Sequence, residues 1–186
     1  YTENFKQNFI TKIFRKKDTK LGFYLMGDVG VGKTMILNFF FDRLNEKKLR
    51  LHFNEFMIKF HDFRHEKKDE KSILQFVKEL KDKYELIYLD EFQVTNIVDA
   101  MILGKLFETI FLEEIKVIIS TNIKASELYK EGLQRDQFLR FIDIIEKNSI
   151  QKELLLDDDY RIQKKNKKQN IFYPLNEKTM FNVNQN

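Results

Sequence analysis

The chain has 186 residues, 42% hydrophobic and 33% charged, the composition of one water-soluble globular domain with enough apolar mass for a core. The absence of cysteine excludes a disulfide framework, a thiolate metal site and a thiol nucleophile, and it suits a reducing, cytoplasm-like compartment. A net charge of +4, from 33 basic and 29 acidic residues, makes a mixed surface that permits nucleic acid without demanding it.

In chain order, Phe5, Phe9, Ile10, Ile13 and Phe14 recur at helical spacing and predict an amphipathic helix over residues 4–17. Leu21 to Met26 is a short, nearly continuous apolar run, which reads as a strand buried on both faces. Gly27 to Gly32 ends it, and a helical pattern through Met35, Ile36, Phe39 and Phe40 begins. The Phe39–Phe41 cluster is read as core behind that helix, with Phe41 free to face elsewhere.

A second strand fits Leu49–Phe53, followed by helices over Phe56–Phe63 and Ile73–Leu80, the latter with Ser72 as its cap. Leu86–Leu89 is the third strand and ends on Asp90 and Glu91. Thr95 or Asn96 caps a helix from Ile97 to about Leu112, and Val117–Ile119 is a buried strand ending at Ser120, Thr121 and Asn122. Helices are expected near Ser126–Lys130 and over Arg135–Ile145, then a strand at Ile150–Leu156 and a polar, lysine-rich tail. Strands alternating with helices predict a parallel α/β sheet with right-handed crossovers and a ligand site at the carboxyl ends of the strands.

No apolar run approaches the roughly 20 residues a membrane-spanning helix needs. The start at Tyr1, without methionine or a leader pattern, predicts a fragment of a longer protein.

The segment Gly27-Asp28-Val29-Gly30-Val31-Gly32-Lys33-Thr34 satisfies G-x-x-x-x-G-K-[ST] between a strand and a helix, and four of the six glycines lie between Gly22 and Gly32. Glycines let consecutive N–H groups turn inward on phosphate oxygens, and the following helix adds the positive end of its dipole. Lys33 is expected to reach the β and γ phosphates of ATP, and the Thr34 hydroxyl to ligate a Mg2+ ion that bridges them.

An apolar strand ending in two carboxylates supplies the rest of a hydrolytic site. Asp90 is expected to hold Mg2+, largely through its water ligands, and Glu91 to polarise the attacking water as general base. Asn122 ends the neighbouring strand, where its amide can donate to the γ phosphate and orient the same water. Arg135, after Gly132-Leu133-Gln134, is placed to reach the ATP of a neighbouring subunit, with Arg140 as its rival.

These segments, together with Leu51-His52-Phe53-Asn54-Glu55-Phe56-Met57, Leu89-Asp90-Glu91-Phe92-Gln93-Val94-Thr95, Asp99-Ala100-Met101-Ile102-Leu103, Leu128-Tyr129-Lys130-Glu131-Gly132-Leu133-Gln134-Arg135 and Asp159-Tyr160-Arg161, resemble the ZapE-type ATPases. That AAA+ branch contains bacterial cell-division ATPases and mitochondrial relatives of yeast Afg-one. The similarity covers about residues 20 to 161. It implies a three-layer AAA+ fold of 1–186 as a single domain, with a five-stranded parallel sheet in the order 5-1-4-3-2, Asn122 as first sensor and Arg135 as arginine finger.

It also implies a homo-oligomer for the full-length protein, a protein client in bacterial division or mitochondrial quality control, and a cytoplasmic or mitochondrial-matrix location. Two departures are Ala125, in place of a proline after the sensor strand, and Arg140, where the family pattern has proline. An ATP-dependent nucleic-acid module of the helicase-loader type is the alternative; a small-molecule kinase is disfavoured because Glu91 beside Asp90 suits water activation.

Other signals are set aside. His61 and His65 stand four apart on one helix, but no third ligand accompanies them. Lys164, Lys165, Lys167 and Lys168 read as a solvated run, and Asp157–Asp159 lack the spacing and glycine of a calcium loop.

Overall fold

Five short runs form the strands of one sheet: β1 Gly22–Met26, β2 Lys48–His52, β3 Leu86–Asp90, β4 Lys116–Thr121 and β5 Ser149–Glu153. The computed structural model describes residues 20–67, 69 and 71–155. The expected helix at 4–17, the acidic turn at 157–159, the segment 159–161 and the lysine run at 164–168 lie outside the described residues. Every pairing is parallel and the order is β2-β3-β4-β1-β5, the expected order read from the other edge.

Parallel strands need crossovers, and helices supply them: α1 Lys33–Phe41, α2 Phe53–Lys67, α3 Ser72–Lys83, α4 Ile97–Leu112 and α5 Arg135–Asn148, with a 3-10 turn at Ala125–Glu127. Alternation along the strands divides the core in two. Phe23, Leu25, Leu86, Tyr88 and Ile118 meet Leu37 and Phe41 of α1. On the other face Tyr24, Leu51, Ile87, Leu89, Val117 and Ile119 meet a phenylalanine-rich layer from α2 to α5. The sheet is therefore covered on both faces, which explains why its central strands are apolar throughout.

Several boundaries differ from expectation for identifiable reasons. Phe53 opens α2 instead of closing β2, because its ring is buried against Phe92 at 4.2 Å between centroids. Ser72 is the first residue of α3 rather than its cap; the Asp69 carbonyl accepts from Ser72 N at 3.0 Å and the Asp69 carboxylate from Lys71 N at 3.0 Å. Of the two candidate caps for α4, Asn96 acts, its Oδ1 accepting from Val98 N at 2.8 Å.

The helix expected near Ser126–Lys130 is only the 3-10 turn, since Tyr129 adopts a left-handed φ of 55° that α-helix cannot continue. In α1 the buried positions are Leu37 and Phe41, not the Ile36, Phe39 and Phe40 face; Met35 is exposed. The helix is apolar nearly all round, so periodicity does not fix its phase, and the buried Lys33 at its start does. β5 ends at Glu153 because its partner β1 ends at Met26, although Leu154 N still donates to Met26 O at 2.8 Å.

Phe107 stands at the centre of the aromatic layer, fully buried and in contact with Phe92 (6.0 Å), Phe141 (5.1 Å) and Phe111 (6.3 Å). Phe107→Ala is expected to lower the unfolding free energy by about 3–5 kcal/mol, read from urea denaturation.

Candidate active site at the strand ends

A parallel sheet gathers all its carboxyl ends on one rim, and here that rim collects Gly27, Asp90, Glu91 and Asn122. The loop leaving β1 folds tightly for two separate reasons. A Cβ on Gly27 would lie 2.6 Å from the Leu154 carbonyl oxygen, so only glycine fits. Gly32 caps α1 at φ 90°, where a side chain would be strained, and no side chain caps the helix. The first N–H groups of α1 are thus presented by the backbone at the positive end of its dipole. Asp28, Val29, Gly30 and Val31 complete the curl, with Val29 exposed and Gly30 also at positive φ.

Lys33 is buried, and its Nζ donates to Gly27 O (2.7 Å), Asp28 O (2.8 Å) and Asn122 Oδ1 (2.7 Å). Burial pushes this ammonium below the usual lysine range, opposed by the charges of Asp28 and Asp90. The Lys33–Asn122 contact joins the β1 loop to the end of β4, so two expected site residues 89 positions apart meet directly.

Strand alternation turns Arg50, Tyr88, Asp90 and Ser120 toward the α1 face. Asp90 is 2% exposed. Its Oδ1 accepts from Ser120 Oγ and from Glu91 N (3.1 Å), and lies 3.5 Å from Thr34 Oγ1; its Oδ2 pairs with Arg50 Nη2 at 2.6 Å. Burial opposes ionisation of Asp90, yet the Ser120 hydroxyl and the Arg50 guanidinium outweigh it and hold the carboxyl below the usual range. Beside it the buried Tyr88 hydroxyl lies near Ser120 and Asp90 without a hydrogen bond of ordinary geometry, and burial pushes it up to about 12.

Glu91 adopts a left-handed φ of 53°, a conformation that costs a non-glycine residue about 1–2 kcal/mol. Its N–H is held by Asp90 Oδ1 and by Ser120 Oγ (3.3 Å). The turn throws the Glu91 carboxylate off the strand into solvent, 3.6 Å from His52 Nδ1 at the end of β2. One carboxylate is therefore buried and held by fixed donors, and its neighbour is exposed to solvent.

Arg135 begins α5, where Nη1 donates to Leu128 O and Nη2 to Ser126 O, each at 2.7 Å. Arg140 forms a forked pair with Glu108 at 3.0 and 2.8 Å on the outer surface of α4 and α5. His61 spends Nε2 on Asp99 at 2.6 Å, tying α2 to α4. Among the described residues, no group of three or more His, Cys, Asp or Glu is arranged to hold a metal.

Mg2+ nonetheless fits this rim, because it takes oxygen ligands and is ordinarily held by one or two protein groups plus phosphate and water. The ionised Asp90 and the Thr34 hydroxyl are oxygen donors brought together by β3 and α1. Arg50, Ser120 in its role on Asp90, and His52 were not singled out from sequence. A visible signal existed for Arg50: a charged residue between Leu49 and Leu51, in a strand whose neighbour ends in a carboxylate.

Comparison with known proteins gives one family. The model of the AFG1-like ATPase family matches residues 2–186. The cell division protein ZapE of Escherichia coli K12 is 35% identical over 155 residues, which covers 80% of this chain and 41% of that protein. The chain thus spans about two fifths of the length of that curated relative. Two solved structures share the fold: the DnaC helicase loader (TM-score 0.53, 17% identity, 83% of this chain and 93% of that chain) and AMPPCP-bound DnaA from Aquifex aeolicus (TM-score 0.53, 19% identity, 96% and 55%). No helix among the described residues is long and apolar enough to cross a membrane.

Ser120→Ala is expected to destabilise the fold by about 1–2 kcal/mol, because it removes a donor from the buried Asp90. It should also raise the titration point of Asp90. Urea denaturation together with carboxylate-resolved NMR titration reads both effects.

Proposed function

This chain belongs to the AFG1-like ATPase family, and we propose that it hydrolyses Mg-ATP at the rim formed by the β1 loop, Asp90, Glu91 and Asn122. The observation that carries the reading is the Lys33–Asn122 contact beside the Thr34–Asp90 approach, which draws three separate strand ends into one site.

The N–H groups of residues 28–34 bind the phosphates, and Lys33 exchanges its carbonyl acceptors for phosphate oxygens. Thr34 and Asp90 are the residues that would hold Mg2+, which would supply neutralisation of phosphate charge there. Asn122, anchored through Oδ1 to Lys33, keeps its amide N–H groups for the γ phosphate or the attacking water. Glu91 accepts a proton from that water, and its exposure on the left-handed turn is what allows it to approach.

The buried Asp90 is unsuited to the role of base. Its carboxyl is held ionised by fixed donors, so it positions charge and does not take up protons at neutral pH.

Hydrolysis is read as coupled to remodelling of a protein client, with Arg135 donated to the ATP of a neighbouring copy. The cell-division name of the Escherichia coli relative supports that direction. For Arg135 to serve in this way, a phosphate must replace the Ser126 and Leu128 carbonyls as its partners.

Glu91→Gln is expected to bind a fluorescent ATP analogue with wild-type affinity and to hydrolyse ATP at least about 100-fold more slowly in steady state. Unchanged hydrolysis in an active preparation would remove Glu91 as the base. The same variant should retain client in affinity capture with ATP, compared with wild type and with ATP-free controls.

A further inference from the structure

The carboxylate assigned to the metal already has a cation on it. Arg50 Nη2 sits 2.6 Å from Asp90 Oδ2, while the other oxygen takes Ser120 Oγ and Glu91 N and faces Thr34. The Arg50 guanidinium also lies over the Tyr88 ring, 5.1 Å from its centroid. β2 and β3 pair Arg50 with Tyr88 and His52 with Asp90, so the arginine reaches diagonally along the strand to the carboxylate.

An arginine that served only to neutralise a core carboxylate would itself be expected inside the core. The Arg50 side chain is instead 35% exposed while the Asp90 side chain is 3% exposed, so one partner is open to water and the other is not. It can leave without dragging an uncompensated charge through the core, and an ion can take its place on Asp90.

We infer that Arg50 is a positioning residue that competes with magnesium for Asp90 and thereby sets how strongly nucleotide binding depends on the metal. The inference rests on the proposed Mg-ATP site. Two cations drawn to one carboxylate oppose each other by linkage: whatever factor Arg50 takes from the affinity of Asp90 for the ion, the ion takes equally from the Arg50–Asp90 pair. In the absence of the ion, Arg50 also keeps a positive charge at the rim where the phosphates are proposed to bind. Its removal weakens metal-free binding and strengthens metal-bound binding, and both effects shift the metal dependence the same way.

The test compares the affinity of the full 186-residue chain for a fluorescent, non-hydrolysable ATP analogue in excess Mg2+ and in EDTA. The readout is the ratio of the two affinities, which does not depend on turnover. Arg50→Met keeps an apolar stem over Tyr88 and removes the charge, and it is expected to raise the ratio by about tenfold. Arg50→Lys keeps a charge and should stay within about twofold of wild type. Arg50→Gln serves as the neutral variant should Arg50→Met not fold, as judged by circular dichroism.

A neutral variant that loses affinity equally in both conditions, or whose ratio falls, overturns the inference and makes Arg50 a purely structural partner. So does an Arg50→Lys ratio as high as that of the neutral variant. If the unsubstituted chain binds the analogue with no dependence on Mg2+, the metal-nucleotide reading of the site falls along with this one.

Discussion

A carboxylate taken almost wholly out of water has to be met by donors, and the arrangement of this molecule around Asp90 follows from that requirement. An ionised side chain buried without partners costs several kcal/mol, so the strands on either side must supply the compensation. β4 supplies the Ser120 hydroxyl, β2 the Arg50 guanidinium, and the chain immediately after β3 the Glu91 N–H. Because side chains alternate along a strand, these groups meet only if β2, β3 and β4 lie side by side in the observed register. The order of the sheet and the ionisation of one carboxylate are thus two expressions of the same constraint.

The left-handed backbone at Glu91 belongs to that constraint as well. Turning the chain sharply after Asp90 brings the Glu91 N–H back onto the Asp90 carboxylate and the Ser120 oxygen, at an intrinsic cost of about 1–2 kcal/mol. The same turn separates two adjacent acids into different environments. One becomes a fixed charge under the sheet face, and the other a solvated group at the rim.

Much of this was legible in the residues before any coordinates. The glycine-lysine-threonine loop, the two-acid strand end and the asparagine one strand over carry chemistry in their own side chains, and each ends a strand that apolar composition marks unambiguously. Less legible were features whose meaning depends on pairing. Arg50 in Leu49-Arg50-Leu51 looks like a surface residue of an alternating strand until β3 is laid beside it. The buried face of α1 could not be chosen from a helix apolar on most sides, and the short turn at Ala125–Glu127 reflects the strained Tyr129 rather than any breaker in its composition. The start of the helix at Ser72, with Asp69 accepting from Lys71 N and Ser72 N just before it, depended on how the preceding loop approached, which local propensity does not encode.

The tether on Arg135 sets a threshold for whatever would recruit it. Its two carbonyl partners, from the 3-10 turn and the residue after it, satisfy the guanidinium within its own chain, and weak or singly charged acceptors gain little by displacing them. A polyphosphate is an acceptor of another order, with several oxygens and concentrated charge. Withdrawing Arg135 would also leave the Ser126 and Leu128 carbonyls to find other donors, loosening a segment that begins three residues beyond Asn122. In the role proposed for it, an arginine held in reserve by its own backbone would act as a discriminator, silent toward incidental anions and responsive only to a ligand dense enough to release it.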